Sequence, residues 1–330
     1  MIKNFNLGQD LGFGANKLYG KSGNSILQSV IAADTGHEVT QSMGLRNSKK
    51  PLQIRFNGVS YYVGPNSHDW GSPIENLDYE RMQGVPETRA ILYGNLTNYI
   101  KAYQPESVNN TFMVVGLPLD VLSGPNANIN ADRIRKWITG VHEWEADGQQ
   151  YSINIQETRI ASQPSGALFD YLFDDEGQLI QNRKTDYLGE IGIISIGFNT
   201  IEILTVKEKM LVQNSTMGKS IGVRRLLEMH NDHSSYTMGE LDSKLRSGRL
   251  EISHLLPVWQ SQIIGVVDEA WGKKWTRFSK IILVGGGAKL IGMNLLDFFK
   301  GNAIIPDDPV ISISRGLYKY AISLNKKKSE

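Results

Sequence analysis

The first strand of the chain and the turn after it read Leu7-Gly-Gln-Asp-Leu-Gly-Phe-Gly-Ala-Asn-Lys17. Apolar residues lead into Asp10, Gly12 and Gly14 make a tight turn, and a second strand begins around Lys17. Glycines have no Cβ, so several backbone amides of such a turn can converge on one phosphate. Asp10 can hold Mg²⁺ through water, because that ion gives up its hydration shell reluctantly, and Lys17 can reach the phosphates as a point charge. The stretch is therefore either a phosphate-binding turn or a surface hairpin whose glycines only satisfy turn geometry.

A second copy of this design favours the phosphate-binding interpretation. Within Gly192–Val206 an apolar strand leads into a polar residue, a Gly-Phe turn and another apolar strand, and Ser195-Ile-Gly-Phe198 corresponds to Asp10-Leu-Gly-Phe13. Two such hairpins in separate halves of one chain predict two similar domains that face each other across a cleft.

A third glycine cluster, Val284-Gly-Gly-Gly-Ala288, follows the apolar strand 280–284 and precedes a helical pattern over 290–299. The three motifs together resemble those of the actin-like ATPase superfamily, and within it the bacterial and archaeal actin-like proteins of the ParM plasmid-partition type. Asp10–Lys17 is similar to the first phosphate loop of that family, Ser195–Thr200 to the second, and Val284–Lys289 to its adenosine motif. Met113–Pro118 and Ser314–Tyr318 resemble two further family segments in the same order, so the resemblance extends over nearly the whole chain.

The resemblance implies an α/β protein with the actin-like, ribonuclease H-like fold, which is a duplicated fold with two domains around a nucleotide cleft. Domain I would comprise residues 1–163, with the C-terminal segment 312–330 packing back on it, and domain II residues 164–311. The implied ligands are ATP, or ADP or GTP, and Mg²⁺.

The implied nucleotide-binding residues lie in the three glycine motifs and before the helical pattern that starts at Val223. They are Asp10, Gly12, Phe13, Gly14, Asn16, Lys17, Ser195, Gly197, Phe198, Asn199, Thr200, Gly218, Gly222, Gly285, Gly286 and Gly287, with Asp10 as the metal-holding residue. The helix N-terminus after Gly222 would offer N–H donors to the nucleotide.

The implied catalytic residues are Asp10 and Gln163. Members of the family carry a glutamine or glutamate at the crossover between the domains, where it orients the attacking water. Gln163 matches that position best, and Ser162 is the alternative if the alignment slips by one residue. A glutamine before a proline is also a common turn residue, so both interpretations stand at the level of sequence.

Ser195 is a departure from the family pattern, which has aspartate at the start of the second phosphate loop. A serine hydroxyl can donate to a phosphate oxygen but supplies no charge, so we expect nucleotide binding to survive and hydrolysis to be slowed. Glu202, where relatives often have aspartate, is a conservative change by comparison.

The composition is that of an ordinary globular protein. The 330 residues suggest about two domains, and the net charge of +1 argues against a general affinity for nucleic acid or acidic membranes. The absence of cysteine excludes disulfides and thiolate metal sites. No apolar run approaches the roughly 20 residues that span a bilayer, and the first residues lack the apolar core of a signal peptide. These observations predict a soluble cytoplasmic protein.

The remaining pattern predicts most of the other elements. The predicted strands are 25–32, 111–117, 151–160, three within 191–212, and a hairpin over 53–63 around Asn57-Gly58; the predicted helices are 87–103, 130–139, 167–173, 223–230, 255–271 and 318–324. The polar segment 34–51 is predicted to be a mobile loop, which is either a filament contact, as the resemblance implies, or an ordinary solvated loop.

The implied function is that of a filament-forming, cytomotive or cytoskeletal ATPase whose partner is other copies of itself. The ParM type also implies a DNA-binding adaptor protein for plasmid segregation, with no direct contact to nucleic acid or membrane. Two alternatives belong to other classes: a small-molecule kinase of the same fold, and a nucleotide-binding scaffold that does not hydrolyse. The kinase would need a catalytic carboxylate and a substrate pocket in the first domain, whereas Ser195 makes the scaffold credible.

Overall fold

Two β-sheets form the framework of the computed structural model, which describes residues 5–36, 48–75, 78–231 and 233–329. The strands of the first sheet are β1 (Phe5–Leu11), β2 (Ala15–Gly20), β3 (Gly23–Gln28), β4 (Ile31–Ala33), β5 (Leu52–Phe56), β6 (Val59–Val63), β7 (Ser72–Pro73), β8 (Thr111–Leu117), β9 (Gly140–Ala146) and β10 (Gln149–Ser162). The strands of the second sheet are β11 (Glu190–Ile196), β12 (Ile201–Lys207), β13 (Met210–Leu211), β14 (Met217–Lys219), β15 (Lys280–Val284) and β16 (Ala303–Ile304).

Helices cover the faces of both sheets. They are α1 (Pro86–Tyr103), α2 (Ala127–Ile138), α3 (Gln163–Leu172), α4 (Lys184–Leu188), α5 (Val223–His230), α6 (Met238–Arg246), α7 (Leu256–Trp271), α8 (Ala288–Phe298) and α9 (Ser312–Ser329). None of the helices in the described ranges is long and apolar enough to cross a membrane.

The two sheets repeat one topology. The first has the order β3-β2-β1-β8-β10-β9-β5-β6-β4-β7, and the second β13-β12-β11-β15-β16, with β14 also pairing with β12. In both, an antiparallel hairpin (β1–β2 or β11–β12) lies beside a parallel strand (β8 or β15). Asp10 is opposite Lys17 in its hairpin, and Ser195 is opposite Glu202 in the other. The duplication that the two glycine turns predict is therefore confirmed at the level of strand register.

The apolar side chains form three buried clusters that hold the sheets in place. One cluster lies between the first sheet and α1 and α2, a second between the second sheet and α5, α7 and α8, and a third contains α3 and α9. The helix predicted over 255–271 is confirmed as α7, and its Trp259, Ile263 and Val267 are fully buried. Each such aliphatic or aromatic side chain contributes about 1.5–3 kcal/mol by leaving water.

The helix α9 returns to the first sheet, where it packs on β1, β2 and β8 as well as on α3. A buried ion-pair network joins it to α3: Asp170 accepts hydrogen bonds from Arg315 Nε at 2.7 Å and from Ser312 Oγ at 2.7 Å, and Lys319 Nζ lies 3.1 Å away. Burial opposes ionisation, but the Arg315 hydrogen bond and the Lys319 charge hold the pKa of Asp170 below its ordinary value.

Several predicted elements differ from the structure. The strand predicted over 25–32 is two strands, β3 and β4, and the elements β7, β9, β14, β16, α4 and α6 lie outside the predicted strands and helices. The expected break before the helix 167–173 is wrong: α3 already begins at Gln163, because Ser162 caps its N-terminus and Pro164 fits its first turn. The predicted hairpin is confirmed as β5–β6, with positive φ at Asn57 and Gly58. Much of the predicted loop 34–51 lies outside the described residues.

Candidate functional site

Asp10, Lys17 and Gln163 meet in one hydrogen-bonded group at the end of β1. Lys17 Nζ lies 2.8 Å from Asp10 Oδ2, and Gln163 Nε2 donates to Asp10 Oδ1 at 2.8 Å. Gln163 reaches Asp10 from 153 residues away, because β8 pairs in parallel with β1 on one side and with β10 on the other, and α3 begins where β10 ends. Three residues predicted from separate motifs therefore form one cluster, and Asp10 in it is 1 % exposed.

Ser162, the alternative to Gln163, does not belong to this group. Its Oγ accepts a hydrogen bond from Ser165 N and lies 2.6 Å from Ser165 Oγ, so it serves as the N-cap of α3. The Ser162 hydroxyl is used by these contacts with Ser165, and the side chain that reaches Asp10 is that of the next residue, Gln163.

Ser195 lies at the end of β11, and a carboxyl group lies beside it on the neighbouring strand. Glu202 is directly opposite Ser195 in the β11–β12 ladder, and both side chains are buried. Glu202 Oε1 accepts a hydrogen bond at 2.6 Å from Leu119 N, which follows β8 in the first half of the chain. Glu202 Oε2 is buried and has no hydrogen-bond partner within the described structure.

The electrostatics of Glu202 are unusual for a glutamate. Burial, and to a smaller extent the negative charges of Asp120 and Asp10, raise the pKa of Glu202 to about 8, although the hydrogen bond from Leu119 acts in the opposite direction. Glu202 is thus poised to exchange a proton near neutral pH, or to become ionised when a cation enters the cleft. The sequence indicates only a conservative change at Glu202, since the contact with Leu119 is not visible in any local motif.

The tips of the two glycine turns face each other and touch. A Cβ at Gly14 would lie 2.5 Å from Phe198 Cβ, so only glycine allows this approach. Within the described structure, the amides of Phe13 and Gly14 in one turn and of Phe198 and Asn199 in the other donate no hydrogen bond. These amides are free to bind an anion.

The predicted role of the helix start after Gly222 needs a correction. The amides of Gly222, Val223 and Arg224 donate to the carbonyl groups of Asn199, Gly197 and Phe198, respectively. The N-terminus of α5 therefore holds the second turn in shape, and these N–H groups are already used. Arg224 Nη1 also donates to Asn199 Oδ1 at 3.1 Å, which fixes that side chain.

The glycines of the third motif and Gly218 allow close packing around the second turn. A side chain at Gly285, where φ is +92°, would overlap the Ile196 carbonyl, and one at Gly287 would overlap the Ile196 side chain. Gly286 has open space at its Cβ position. The loop thus lies against the end of β11 with Gly286 facing outward. Gly218 approaches the Asp120 carboxylate of the first half, where a Cβ would be 3.0 Å from Oδ1.

Three predicted binding residues have side chains directed elsewhere. Asn16 Oδ1 accepts from Gln9 Nε2 and, at 3.2 Å, from Asn95 Nδ2 on α1, so Asn16 points to the opposite face of the sheet from Lys17. The Phe13 ring packs edge-on against Tyr79 at 5.6 Å, and the Phe198 ring packs against the cores of both halves. The alternation of β2 and the apolar contacts decide the direction of these side chains, and the nucleotide-binding role of the three residues stays a prediction. Thr200 is buried, and its carbonyl closes the second turn with Gly197 N at 2.8 Å.

This arrangement has the chemistry of a site for a polyphosphate with a divalent cation. It offers a buried carboxylate at Asp10 and the positive charge of Lys17. Backbone amides that donate no hydrogen bond in the described structure lie in both turns, and Glu202 Oε2 has no hydrogen-bond partner there. No group of three or more His, Cys, Asp or Glu side chains in the described ranges is arranged to hold a metal ion. A hard cation such as Mg²⁺ would therefore need water or phosphate oxygens as further ligands, which is its usual preference.

Known structures share the fold over the full length of the chain. The psk41 ParM protein in its apo form is 18% identical and matches with a TM-score of 0.73 over 99% of both chains. The archaeal actin homologue Ta0583, also solved in complex with ADP, is 16% identical with a TM-score of 0.71 over 99% of this chain and 100% of its own. The subunit of a 15-stranded ParM filament from Clostridium botulinum is 19% identical, with a TM-score of 0.72 over 97% of this chain and 99% of its own.

Sequence comparison finds one family model that is similar to the N-terminal part of the chain. No curated protein matches the chain in sequence. Residues 8–166, which contain the first glycine turn, Asp10, Lys17 and Gln163, match the family described as the N-terminal domain of actin-like proteins. Residues 8–166 are therefore similar in sequence to the N-terminal domain of actin-like proteins, and the chain as a whole has the actin-like fold.

Proposed function

We propose that this protein binds ATP with Mg²⁺ between its two glycine turns, hydrolyses it slowly, and assembles into filaments under control of the bound nucleotide. The observation that carries the proposal is the group formed by Asp10, Lys17 and Gln163 at the end of β1, opposite the second turn. The same fold occurs in a relative solved in complex with ADP.

The proposed chemistry is phosphoryl transfer to water. Lys17 and the turn amides would position the phosphates, and Asp10 would hold a hydrated Mg²⁺, which would supply positive charge against the charge that develops on them. Lys17 must exchange its ion pair with Asp10 for a phosphate oxygen, which leaves the Asp10 carboxylate available to the hydrated cation. Gln163 donates through Nε2 to Asp10, so its Oε1 remains to accept a hydrogen bond from the attacking water.

Glu202 compensates in part for Ser195 in this proposal. The family aspartate would place a negative charge at the end of β11, and here the carboxyl group lies directly opposite, on β12. Its raised pKa means that it holds a proton at neutral pH until a cation favours the ionised form. This extra proton loss is one reason to expect slow rather than absent hydrolysis.

The proposed domain division follows the two sheets. Domain I would comprise residues 1–163 together with 312–330, and domain II residues 164–311. The packing of α9 on β1, β2 and β8 supports the return of the C-terminal segment to domain I.

Self-assembly is proposed from the likeness to filament subunits. The chain matches nearly the full length of a ParM filament subunit, and another similar structure is that of the Alp12 filament. If the likeness extends to plasmid segregation, a DNA-binding adaptor protein is a further partner.

The test combines light scattering with phosphate release. We expect scattering to rise when MgATP is added above a critical protein concentration, and phosphate to appear after assembly. No assembly over a wide range of concentrations, with nucleotide bound, would refute the filament proposal but leave the nucleotide site intact.

The non-hydrolysing scaffold is the second candidate, because Ser195 removes a charge from the site. Assembly on ATP without any phosphate release would favour it. The variant Ser195→Asp then distinguishes the two: faster phosphate release in that variant shows that the remaining residues are competent for hydrolysis.

A further inference from the structure

The strand β9 has an edge that is mostly unpaired within the described structure. On one side β9 pairs with β10 along its whole length. On the other side only Glu145 and Ala146 pair, with Arg55 and Ile54 of β5. The rest of this edge, from Gly140 to Trp144, has no strand beside it among the described residues. Unpaired strand edges are templates for further pairing.

The register shows which backbone groups face the open side. Just beyond the end of β9, Asp147 N donates to Gln53 O at 3.0 Å across the β5 side. Because the direction of backbone groups alternates along an antiparallel strand, Val141 and Glu143 also point their N–H and C=O groups to that side. These two residues offer two donors and two acceptors to an added strand.

The space beside this edge is a groove of about 860 Å³, which opens where β5 and β9 diverge. Its floor is aromatic, with the Tyr93 ring of α1 stacked on the Trp144 ring at a centroid distance of 4.9 Å. Val141 lies at its side and is 67% exposed, which is unusual for a large apolar residue. The groove therefore combines backbone hydrogen-bonding groups with apolar surface.

The two faces of the groove carry opposite charge. On the inner face the Arg89 guanidinium lies over the Trp137 ring at 5.3 Å, is held by a hydrogen bond from Nε to Gly84 O at 2.7 Å, and has no carboxylate partner among the described residues. Lys136 lies on the same lining and is exposed. On the outer face Glu143 is exposed beside Val141. Arg55 and Glu145, which are opposite each other in the ladder, also line this face, and their charges offset each other, so Glu143 leaves the face negative. A strand in this groove meets positive charge inside and negative charge outside.

We propose that the groove binds an extended segment of a partner protein, which adds as a strand to β9. Its inward side chains are acidic and approach Arg89 and Lys136, and its outward side chains are basic or apolar and lie beside Val141 and Glu143. The alternation of side chains in a strand provides this two-sided pattern, and the main chain provides the hydrogen bonds. A helical partner is disfavoured, because its backbone groups are already paired and cannot satisfy the edge.

The test selects ligands from a display library of random eight-residue peptides on the full-length protein. Selected peptides are then titrated by fluorescence anisotropy. We expect acidic residues at every second position, and we expect methylation of alternate backbone amides to abolish binding, since an added strand needs those N–H groups. Enrichment of sequences without this alternation, or no enrichment, overturns the proposal.

Matched variants locate the bound peptide. Val141→Pro removes one edge donor without touching the β10 side, and we expect affinity to fall about tenfold or more, while Val141→Thr keeps it. The thermal unfolding midpoint of the proline variant checks that it is folded. Should the proline disturb the strand, Lys136→Glu on the exposed lining serves instead, and we expect it to weaken binding of acidic peptides and favour basic ones.

A second copy of the chain is the competing occupant. If Val141→Pro and Lys136→Glu both leave peptide binding unchanged, the groove does not take the selected segment. If they instead abolish self-assembly while no peptide binds at β9, the edge is an interface between copies, and the proposal of a partner segment is wrong.

Discussion

Glu202 illustrates how a single buried carboxyl group can link the two halves of this molecule. Its Oε1 accepts the amide of Leu119 from across the cleft, and its Oε2 is left without a partner among the described residues. A buried polar atom without a partner costs roughly 1–3 kcal/mol, so its retention points to a function that the apolar alternatives cannot supply. In the proposed site that function is to ionise when a cation binds, so that the negative charge of Glu202 stabilises the cation.

The pH dependence of stability tests the state of Glu202. Because its pKa is raised to about 8, the folded protein holds a proton between the ordinary glutamate pKa and pH 8 that the unfolded chain has lost. Stability therefore falls as pH rises through this window and levels off above it. We expect the thermal midpoint of Glu202→Gln, which cannot ionise, to exceed that of the natural protein by a margin that grows from pH 5 to pH 8.

The measurement is thermal unfolding over this pH range without nucleotide. Glu208→Gln, which alters an exposed glutamate just after β12, is the matched control and should leave the pH profile unchanged. Parallel profiles for the natural protein and Glu202→Gln would show that Glu202 is ionised throughout.

Lys17 provides the test of the phosphate assignment. Lys17→Ala removes the cation at the first turn, and the loss of one charge-assisted hydrogen bond should weaken ATP binding about tenfold to a hundredfold. Lys21→Ala is the control, because Lys21 is exposed in the same hairpin region. Affinities from titration calorimetry that are equal for the two variants would place the phosphates elsewhere.

At the level of elements, much of the site could be predicted because its parts are local. A strand, a carboxylate and a glycine turn are contiguous in sequence, so Asp10 and Lys17 could be placed together without any tertiary information. Gln163 could be placed only through the family resemblance, because its contact with Asp10 depends on β8 and β10 lying side by side. The contact between Glu202 and Leu119 could not be predicted, since no local pattern relates residues 83 positions apart in different sheets.

The same reasoning explains the elements that were missed. Every second residue of β9 is buried, as expected of a strand with one covered face. Its sequence alternates these residues with two glutamates and contains a histidine, so it is too polar to be recognised as a strand by its apolar content. The helix α6 is short, and its capping box of Thr237 and Glu240 is the local signal that could have revealed it. Short polar elements depend on tertiary contacts for their stability, and periodicity alone detects them poorly.

The junction of α3 and α9 makes a prediction at this scale. Asp170→Ala leaves the buried charges of Arg315 and Lys319 without their main partner, so we expect a loss of about 3–5 kcal/mol and a thermal midpoint lower by about 5 °C or more. Asp175→Ala is a close control, because the Asp175 carboxylate also approaches Lys319, at 3.7 Å, but its side chain is 82% exposed. Equal midpoints for the two variants would show that the network does not secure α9.

At the scale of the whole molecule, the two halves are joined across the cleft by a small number of polar contacts. Gln28 Nε2 at the end of β3 donates to Asp242 Oδ2 on α6 at 2.8 Å and to Ser243 Oγ at 3.0 Å. Gly239 N, at the start of the same helix, donates to Glu75 Oε1 at 3.2 Å. Such contacts can close the cleft over a ligand, yet they are few enough to open when it leaves.

The contact between Gln28 and α6 should therefore control how fast a nucleotide leaves. In Gln28→Ala the α6 side of the contact stays ordered, because Arg246 Nε still donates to Asp242 Oδ2 at 2.8 Å. We expect release of a fluorescent ATP analogue, chased with unlabelled ATP in a stopped-flow experiment, to be faster by about fivefold to tenfold, since the hydrogen bonds of the Gln28 side chain to Asp242 and Ser243 are lost. Gln53→Ala breaks a comparable bond to Asp34, at 2.6 Å, that stays within the first sheet, and it should not change the release rate. If both variants release nucleotide at the rate of the natural protein, opening of the cleft at α6 does not limit release, and the closing contact must be sought near Leu119 and Glu202.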